Sequence, residues 1–277
     1  MERLSRRAWK MSIATSVRPV RFGPILYPGR LDECMETASA LGYEGLEVNL
    51  RLASDLDVSA FRQALDQHGL ALVSVGTAPI LLEDGLYLAH PDASVRQAVV
   101  DRIKGHIKFG SEFGAAVALG IIRGTQRLSG DGQLETSWIV ECLRELADYA
   151  AAVRTTLLFE AVNRYEVPLF NSTAQALALI ESLDRPNVEL LLDLFHMNIE
   201  DASLGDAIRR AGARLGHLHV ADSNRRAPGW GHLYYGEVLE ALTNTGYQGW
   251  LSAEVLPLPD QHAAARQTIQ HLRSLGF

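Results

Sequence analysis

Four side chains that can bind divalent cations each stand at the end of an apolar segment. They are two glutamates, one aspartate and one histidine: Glu160, Asp193, His219 and Glu254. They recur at spacings of 33, 26 and 35 residues, about the length of one strand plus one helix. In a parallel barrel such units bring the C-terminal ends of all strands to one face, where active sites form. The spacing therefore predicts that the four side chains converge.

The types of these side chains indicate the kind of ion they would bind. Three carboxylates and one imidazole suit a hard or borderline cation such as Mn²⁺, Mg²⁺ or Co²⁺ better than a structural zinc ion. Four protein ligands on a six-coordinate ion leave two positions for substrate oxygens. His217 lies two residues before His219 and shares its strand face, but we expect it to be a hydrogen-bonded core histidine. The sequence therefore predicts one divalent metal ion.

Apolar segments and helical patterns alternate along the chain and position these residues. Strands are predicted at 11–16, 46–50, 70–75 and 115–122, and four more end at Glu160, Asp193, near His219 and at Glu254. Helices are predicted at 31–41, 59–68, after 93, at 134–152, 173–183, after Ser203, at 237–243 and 262–275. Residues 76–93 are predicted to form a long polar loop.

Eight strands that alternate with helices, with no obvious linker, predict an α/β fold that is a single (β/α)8 TIM barrel. Residues 1–10 would form a basic N-terminal tail and residues 11–277 the catalytic barrel. The alternative is an open doubly wound sheet, which normally carries a Gly-rich phosphate-binding turn after its first strand. The sequence there is Ser16-Val17-Arg18-Pro19. Because this is not such a turn, the closed barrel is favoured.

The composition supports one soluble domain and excludes several classes of partner. The 277 residues are 47% hydrophobic and 21% charged, and the net charge of −7 disfavours a nucleic-acid-binding surface. No uncharged apolar run reaches the roughly 18–20 residues of a membrane span, and the basic start lacks the apolar stretch of a signal peptide. Cys34 and Cys142 alone do not make a disulfide framework. We expect a cytoplasmic protein that binds a small molecule and can form a homo-oligomer.

Three segments give the chain a resemblance to a known family. They are residues 159–166, 193–200 and 219–232. Together they resemble the xylose-isomerase-like TIM-barrel sugar isomerases and epimerases, and most of all the ketose 3-epimerases of the D-tagatose, D-psicose and keto-uronate group. The resemblance covers nearly the whole chain from Met11 and is weaker in the first strand.

The resemblance implies a role for each matching residue. The metal ligands, with Mn²⁺ favoured, are matched by Glu160, Asp193, His219 and Glu254. Glu160 and Glu254 also match the two carboxylates that exchange a proton on opposite faces of the sugar carbon. Glu166, His196 and Arg225 match side chains that hold the hydroxyl and carbonyl end of a sugar substrate.

These roles agree with the chemistry of a ketone. A proton next to a ketone is a weak acid, and a cation on the carbonyl oxygen stabilises the cis-enediolate that forms when the proton leaves. A carboxylate on each face can remove a proton from one side and return one from the other. We therefore expect a metal-dependent 3-epimerase of a ketose or keto-sugar acid.

Arg123 is a further predicted substrate contact and indicates an acidic substrate. The fourth predicted strand runs into Arg123, which should reach the rim that carries the metal, with Arg127 nearby. An arginine fork suits a carboxylate or a phosphate, and the loop after residue 76 looks most like the keto-uronate branch of the epimerases. We therefore expect a keto-hexuronate rather than neutral tagatose or psicose. The alternative is that Arg123 pairs with a carboxylate on the barrel rim.

Other functions share this barrel. A hydroxypyruvate or inosose isomerase and a 3-dehydroshikimate-type dehydratase use the same metal ligands and stay open. An abasic-site endonuclease wants histidines at the ends of strands 2 and 3, where this chain has none. A non-catalytic sugar-binding barrel is disfavoured because both proton-transfer acids are present.

Neighbouring polar residues have simpler interpretations. A surface ion pair is the alternative for Glu166 and Arg225. Glu47 and Asn49 are expected to be packing and solvent-facing residues, and Asp222 can orient a metal ligand.

Overall fold

Strands and helices alternate throughout the computed structural model, which describes residues 9–20, 23–125 and 132–277. The strands are β1 (Lys10–Ser16), β2 (Gly45–Asn49), β3 (Ala71–Gly76), β4 (Ala116–Leu119), β5 (Leu157–Glu160), β6 (Val188–Asp193), β7 (Leu215–Val220) and β8 (Trp250–Ala253). The helices are α1 (Leu31–Leu41), α2 (Val58–His68), α3 (Ala78–Asp84), α4 (Ala93–Ser111), α5 (Gln133–Ala152), α6 (Thr173–Leu183), α7 (Leu194–Glu200), α8 (Leu204–Ala211), α9 (Tyr235–Thr245) and α10 (Gln261–Leu275). Each strand pairs in parallel with the next, and β8 pairs with β1, so the sheet closes. The predicted (β/α)8 TIM barrel is confirmed.

Local sequence signals set the helix ends. The side chains of Asp57, Ser172 and Asp260 each accept a hydrogen bond from a backbone N–H in the first turn of the helix that follows, which satisfies a donor with no partner inside the helix. Gly42 and Gly246 adopt φ values of 86° and 68° just past α1 and α9, a conformation that favours glycine. Helices α1 and α9 therefore stop where the chain must turn into the next strand.

Strand alternation sends every second side chain into the barrel. Leu158 on β5, Leu191 on β6 and Ala118 on β4 pack into a small inner cluster, while most buried residues form a larger core with the helices. Two residues further along β5 and β6, the inward positions are occupied by Glu160 and Asp193. A polar site therefore lies directly above this small apolar cluster.

Two short helices and one shortened strand differ from the predictions. Helix α3 lies inside the predicted loop 76–93, where Pro79 presets the backbone of its first turn. Helix α7 begins immediately after Asp193, whose side chain caps it. Strand β4 ends at Leu119 because residues 121–123 form a turn of 3₁₀ helix. The chain therefore leaves the fourth strand earlier than predicted.

The barrel contacts begin close to the predicted N-terminal boundary. Strand β1 starts at Lys10, and the indole N–H of Trp9 donates to the Tyr247 carbonyl at 2.8 Å. The rest of the predicted basic tail, residues 1–8, lies outside the described residues. Within the three described segments, no helix combines the length and the apolar character needed to cross a membrane. The cytoplasmic location and the homo-oligomer stay predictions.

Candidate active site

The four predicted metal ligands meet at the C-terminal mouth of the barrel. Glu160 ends β5, Asp193 ends β6, His219 lies near the end of β7 and Glu254 follows β8. One ligand atom from each lies within 4.8 Å of all the others. Nδ1 of His219 is 3.7 Å from Oε1 of Glu160 and 3.7 Å from Oε2 of Glu254. The structure therefore brings the whole predicted ligand set together.

The arrangement of polar atoms fits a divalent cation. His219 Nδ1 and Asp193 Oδ2 are buried and have no hydrogen-bond partner among the described residues. An octahedral ion with ligands at about 2.1 Å holds adjacent donors roughly 3 Å apart and opposite donors roughly 4 Å apart. The cluster needs only a slight contraction to reach these spacings. Its oxygen-rich donor set suits Mn²⁺ or Mg²⁺.

The charges at the cluster also favour a cation. Burial raises the pKa of Glu160 and of Asp193, and the Glu254 carboxylate raises both further. Burial lowers the pKa of His219, but the carboxylates of Glu47, Glu254 and Glu160 outweigh it and hold that pKa well above its ordinary value. The negative charge of these carboxylates therefore exceeds the positive charge of the neighbouring side chains, and a divalent cation would neutralise the excess.

A glycine makes room for the Glu160 carboxylate. Gly120 follows β4, and a Cβ atom at this position would overlap Oε2 of Glu160. Gly120 has φ −94° and ψ −108°, a combination outside the main regions allowed for other residues. Glycine is therefore required at this position by the backbone conformation as well as by space, and a larger residue would displace the carboxylate.

Glu47 lies inside the barrel, which corrects the expectation that it is a packing or solvent-facing residue. It is 2% exposed, and its Oε2 is 3.1 Å from Nε2 of His217 and 3.1 Å from Nε2 of His219. Burial raises the pKa of Glu47, but the two histidines outweigh it and hold that pKa well below its ordinary value. His217 is buried beside this carboxylate, as expected of a core histidine, but its Nε2 has no hydrogen-bond partner among the described residues.

The predicted substrate contacts Glu166, His196 and Arg225 border the cavity above the ligand cluster. Arg225 donates to Glu166 Oε1 at 2.8 Å and to Glu254 Oε2 at 2.9 Å. Burial lowers the pKa of Arg225, but Glu254, Asp193 and Glu166 outweigh it, so the guanidinium stays charged. Glu166 and Arg225 do form an ion pair, and its arginine side chain is only 15% exposed. The pair is thus part of the cavity rather than of the open surface.

His196 is a neutral hydrogen-bonding group in this cavity. Burial lowers its pKa and the charge of Arg225 lowers it further, to well below the ordinary value. The side-chain nitrogen of Asn163 lies 2.7 Å from Nδ1 of His196, and a guanidinium nitrogen of Arg225 lies 3.4 Å from Nε2. Nε2 is also 3.7 Å from Oε1 of Glu160. His196 therefore places a ring nitrogen next to the proposed base.

Asp222 orders the loop that carries Arg225, where the sequence suggested a role in orienting a metal ligand. Its carboxylate accepts hydrogen bonds from three backbone N–H groups within residues 223–233, at 2.8, 2.8 and 3.0 Å. Its carbonyl accepts from the N–H of Arg225 at 2.8 Å. Arg225 itself has a φ of 60°. The loop therefore holds this arginine in a left-handed conformation that few residues adopt.

The site opens into a cavity of about 560 Å³. Cavities of this size hold small molecules. Its outer wall is largely apolar and includes Ile25, Pro79, Leu82, Ile121, Phe195 and Leu256. Among the described lining residues, Arg225 is the only lysine or arginine. The cavity therefore combines an acidic floor with an apolar wall.

Arg123 does not line this cavity, and its predicted role as a substrate contact is corrected. It is 1% exposed and lies 4.9 Å from the ring of Phe159. Its guanidinium donates, at 2.8–3.4 Å, to the backbone carbonyls of Gly120, Glu160, Leu169 and Phe170. Burial lowers the pKa of Arg123 to about 10. Arg127 lies outside the described residues.

Comparison with known proteins establishes the family. A sequence model described as "Xylose isomerase-like TIM barrel" matches residues 35–275. This chain belongs to that family. The D-psicose 3-epimerase of Ruminiclostridium cellulolyticum is 34% identical over 224 residues, 78% of this chain and 74% of that protein. The L-ribulose 3-epimerase of Mesorhizobium japonicum is 30% identical over 227 residues, 81% and 75% of the two chains.

A solved structure of an L-ribulose 3-epimerase is also similar. It superposes with a TM-score of 0.80 at 26% identity and covers 96% of this chain and 95% of its own. These relatives confirm the resemblance to the ketose 3-epimerases. The family member described here is an enzyme of the isomerase class.

Sequence reasoning missed three residues of the site. Glu47 shares the inward face of its strand with Asn49, and this alternation was the available signal. Gly120 stands at the end of a strand, where the neighbouring strand carries Glu160. Asn163 lies inside the segment that carries the family resemblance. In each case the local sequence shows where the residue lies in its strand or segment, but it does not show which side chain the residue contacts.

Proposed function

We propose that this protein is a divalent-metal-dependent ketose 3-epimerase that inverts carbon 3 through a cis-enediolate, with Mn²⁺ favoured over Mg²⁺ and Co²⁺. The position of two carboxylates carries the proposal. Glu160 on β5 and Glu254 after β8 approach Nδ1 of His219 from different strands, at 3.7 Å each. Two proton-transfer groups thus flank one ligand cluster.

Inversion at a carbon next to a ketone needs a base on one face and an acid on the other. A bound divalent cation would polarise the ketone and stabilise the negative charge that develops on its oxygen. Glu160 removes or returns the proton on one face, and Glu254 acts on the other. Burial and the charge of Glu254 raise the pKa of Glu160, which suits a carboxyl group that serves as base and acid in turn.

Three side chains would hold the substrate against these carboxylates. His196 hydrogen-bonds to a substrate oxygen, and Arg225 supplies positive charge between Glu166 and Glu254. The Glu166 side chain is 34% exposed, so it can accept a hydrogen bond from a substrate hydroxyl at the cavity mouth. The apolar wall excludes water, which strengthens these polar contacts.

A neutral ketose fits this cavity better than a keto-hexuronate. The expectation of an acidic sugar depended on Arg123, whose guanidinium is buried among carbonyl groups. Arg225 already faces two carboxylates. The relatives are named for D-psicose and L-ribulose, both neutral ketoses. Comparison of kcat/KM for a neutral ketose and its matching keto-uronate tests this choice, and a preference for the uronate would reverse it.

Hydrogen exchange in D₂O tests the reaction. The enzyme is incubated with Mn²⁺ and a panel of ketoses and keto-uronates, the protein and the paramagnetic ion are removed, and the sugars are analysed by NMR. Deuterium at carbon 3 of both epimers is expected. Deuterium at carbon 1 with an aldose product would instead identify a 1,2-isomerase, and loss of water would identify a dehydratase.

Substitution of the two carboxylates tests their roles. Glu160→Gln and Glu254→Gln are each expected to slow epimerisation by at least about 10²-fold, the contribution of one general acid or base. Metal content and circular dichroism are measured on both, so that loss of ion or fold is distinguished from loss of a base. Glu189→Gln, near the N-terminal end of β6, is the matched control. Near-normal exchange at carbon 3 in either site variant would contradict the two-base mechanism.

Metal removal tests the ligand set. Treatment with EDTA should abolish turnover, and addition of Mn²⁺ should restore it. Asp193→Ala and His219→Ala should weaken ion binding, because each removes one donor from the cluster. Unchanged stoichiometry and affinity in both variants would exclude this site.

An abasic-site endonuclease is not supported by this site. That activity wants additional histidine ligands from strands 2 and 3, whereas β2 and β3 span Gly45–Asn49 and Ala71–Gly76 and contain no histidine.

A further inference from the structure

We infer that Glu47 is a positioning residue that holds His219 as a metal ligand through Nδ1. The inference rests on the proposed metal-dependent function. Glu47 lies on β2 and His219 on β7, two strands that are not neighbours in the barrel. Their contact therefore crosses the barrel interior, and it is buried on both sides, at 2% exposure for each residue.

The two nitrogens of His219 face different partners. Nε2 is 3.1 Å from Oε2 of Glu47, whereas Nδ1 is 3.7 Å from both Glu160 and Glu254 and has no hydrogen-bond partner in the described part of the chain. As a metal ligand the imidazole is neutral and carries one proton. Since a carboxylate accepts but cannot donate, that proton belongs on Nε2. The lone pair of Nδ1 is then directed at the ligand cluster, as a metal ligand requires.

His217 lies against the same carboxylate oxygen of Glu47. Its Nε2 is also 3.1 Å from Oε2 of Glu47, and its ring stands at 88° to the ring of His219 with the centroids 5.3 Å apart. Of the two imidazoles, only that of His219 is hydrogen-bonded to this oxygen among the described residues. This hydrogen bond is therefore the contact by which Glu47 sets the ring orientation of His219.

An ion could also bind directly to Glu47, His217 and His219, because their donor atoms lie within 4.8 Å of one another. The hydrogen-bonded arrangement is favoured because Nε2 of His219 is already hydrogen-bonded to the Glu47 carboxylate. It also leaves Nδ1 of His219 for the outer cluster. The two arrangements differ in ion stoichiometry, which can be measured.

Calorimetric titration of the EDTA-treated protein with Mn²⁺ tests the inference. Wild type should bind one ion, and E47Q should bind it 10- to 100-fold more weakly, the usual loss for such an outer partner. A glutamine amide oxygen is uncharged, so it accepts the Nε2–H of His219 more weakly than a carboxylate does. E189Q is the control and should bind like wild type. H217N should weaken binding less than E47Q, because Glu47 still accepts from His219.

Three outcomes separate the possibilities. Wild-type affinity in a folded E47Q protein would overturn the role of Glu47 while leaving the proposed function intact. No Mn²⁺ binding by wild type would overturn both. Two ions in wild type and one in E47Q, with the affinity of the remaining ion unchanged, would overturn it in favour of a second metal site.

A measurement on wild type covers the case in which E47Q does not fold. The protein is labelled with ¹⁵N-histidine and loaded with diamagnetic Mg²⁺, and long-range ¹H–¹⁵N spectra report which nitrogen of each ring carries the proton. The spectrum of H217N assigns the two neighbouring rings. A proton on Nε2 of His219 is expected, and a proton on Nδ1 would overturn the inference.

Discussion

Replacement of Arg123 by methionine distinguishes a guanidinium that supports the barrel from one that binds substrate. Three of its hydrogen bonds to carbonyls are 2.8, 2.9 and 3.2 Å long, and the fourth is 3.4 Å. Hydrogen bonds from charged donors are worth about 1.5–3 kcal/mol each. The three shorter bonds therefore contribute roughly 5–9 kcal/mol.

Burial of the positive charge offsets part of this contribution. A pKa lowered from 12.5 to about 10 corresponds to about 3 kcal/mol. We therefore expect R123M to lower the free energy of unfolding by about 3–5 kcal/mol, the usual loss when one partner of a buried charged network is removed. Urea denaturation measures this value. R18M, which breaks the half-exposed pair with Asp55, should change it by no more than about 1 kcal/mol.

Kinetics decide between the two roles of Arg123. At a temperature at which R123M remains folded, kcat/KM for a neutral ketose and for the matching keto-uronate should fall by the same factor, because the residue supports the backbone of Glu160 and does not meet the substrate. A selective loss of the keto-uronate reaction, with unchanged stability, would refute this reasoning and restore the substrate-binding role.

Further predictions follow from the other buried groups. G120A should lower kcat by at least about 10-fold, because a Cβ atom there would push aside the adjacent carboxylate. G105A, where the nearest atom is 3.6 Å away, should leave kcat unchanged, and equal activity of both variants would contradict the steric argument. Burial raises the pKa of Asp222, but backbone N–H groups outweigh it and the folded pKa is lowered. Its stabilisation is therefore complete above the unfolded pKa of about 3.9 and is lost as pH falls through the folded value. D222N should accordingly remove about 2 kcal/mol at pH 7 and less at pH 3, and a loss independent of pH in urea denaturation would argue against a charged acceptor. Burial raises the pKa of the Cys34 and Cys142 thiols to about 12 and about 11. Both thiols should therefore resist a thiol reagent at pH 8 in the folded protein and react with it in urea. Rapid reaction of the native protein would contradict their burial.

Several features could be predicted from the sequence because they depend on local patterns. The periodic alternation of apolar strands and helices is a short-range signal, and it was enough to predict the closed barrel. Strand-end acids and a histidine at regular spacing were enough to place Glu160, Asp193, His219 and Glu254 together, because parallel strands present their C-terminal ends at one face. The resemblance in three segments supplied Glu166, His196 and Arg225, and the structure brings all three to the cavity.

Other features depend on where a strand ends, which the pattern of residues 115–122 does not show. Ile121 and Ile122 continue an apolar run, so the sequence favours a longer strand, but the backbone turns after Leu119 and takes Arg123 into the protein. Its guanidinium then satisfies the carbonyls of Leu169 and Glu160, which are 46 and 37 residues away in the sequence. The predicted acidic substrate lost its main support for this reason.

Contacts across the barrel could be decided only by the tertiary structure. Glu47 and His219 are 172 residues apart, and no local pattern relates β2 to β7. Seen in the sequence, Glu47 is one acid in a short strand, and most acids face solvent. Closure of the barrel places Glu47 against the imidazoles of His217 and His219. Burial of a carboxylate without partners would be costly, and the hydrogen bond with His219 offsets that cost. The sequence by itself determined which residues bear the chemistry at the mouth of the barrel, and the closed sheet decided which buried groups support them.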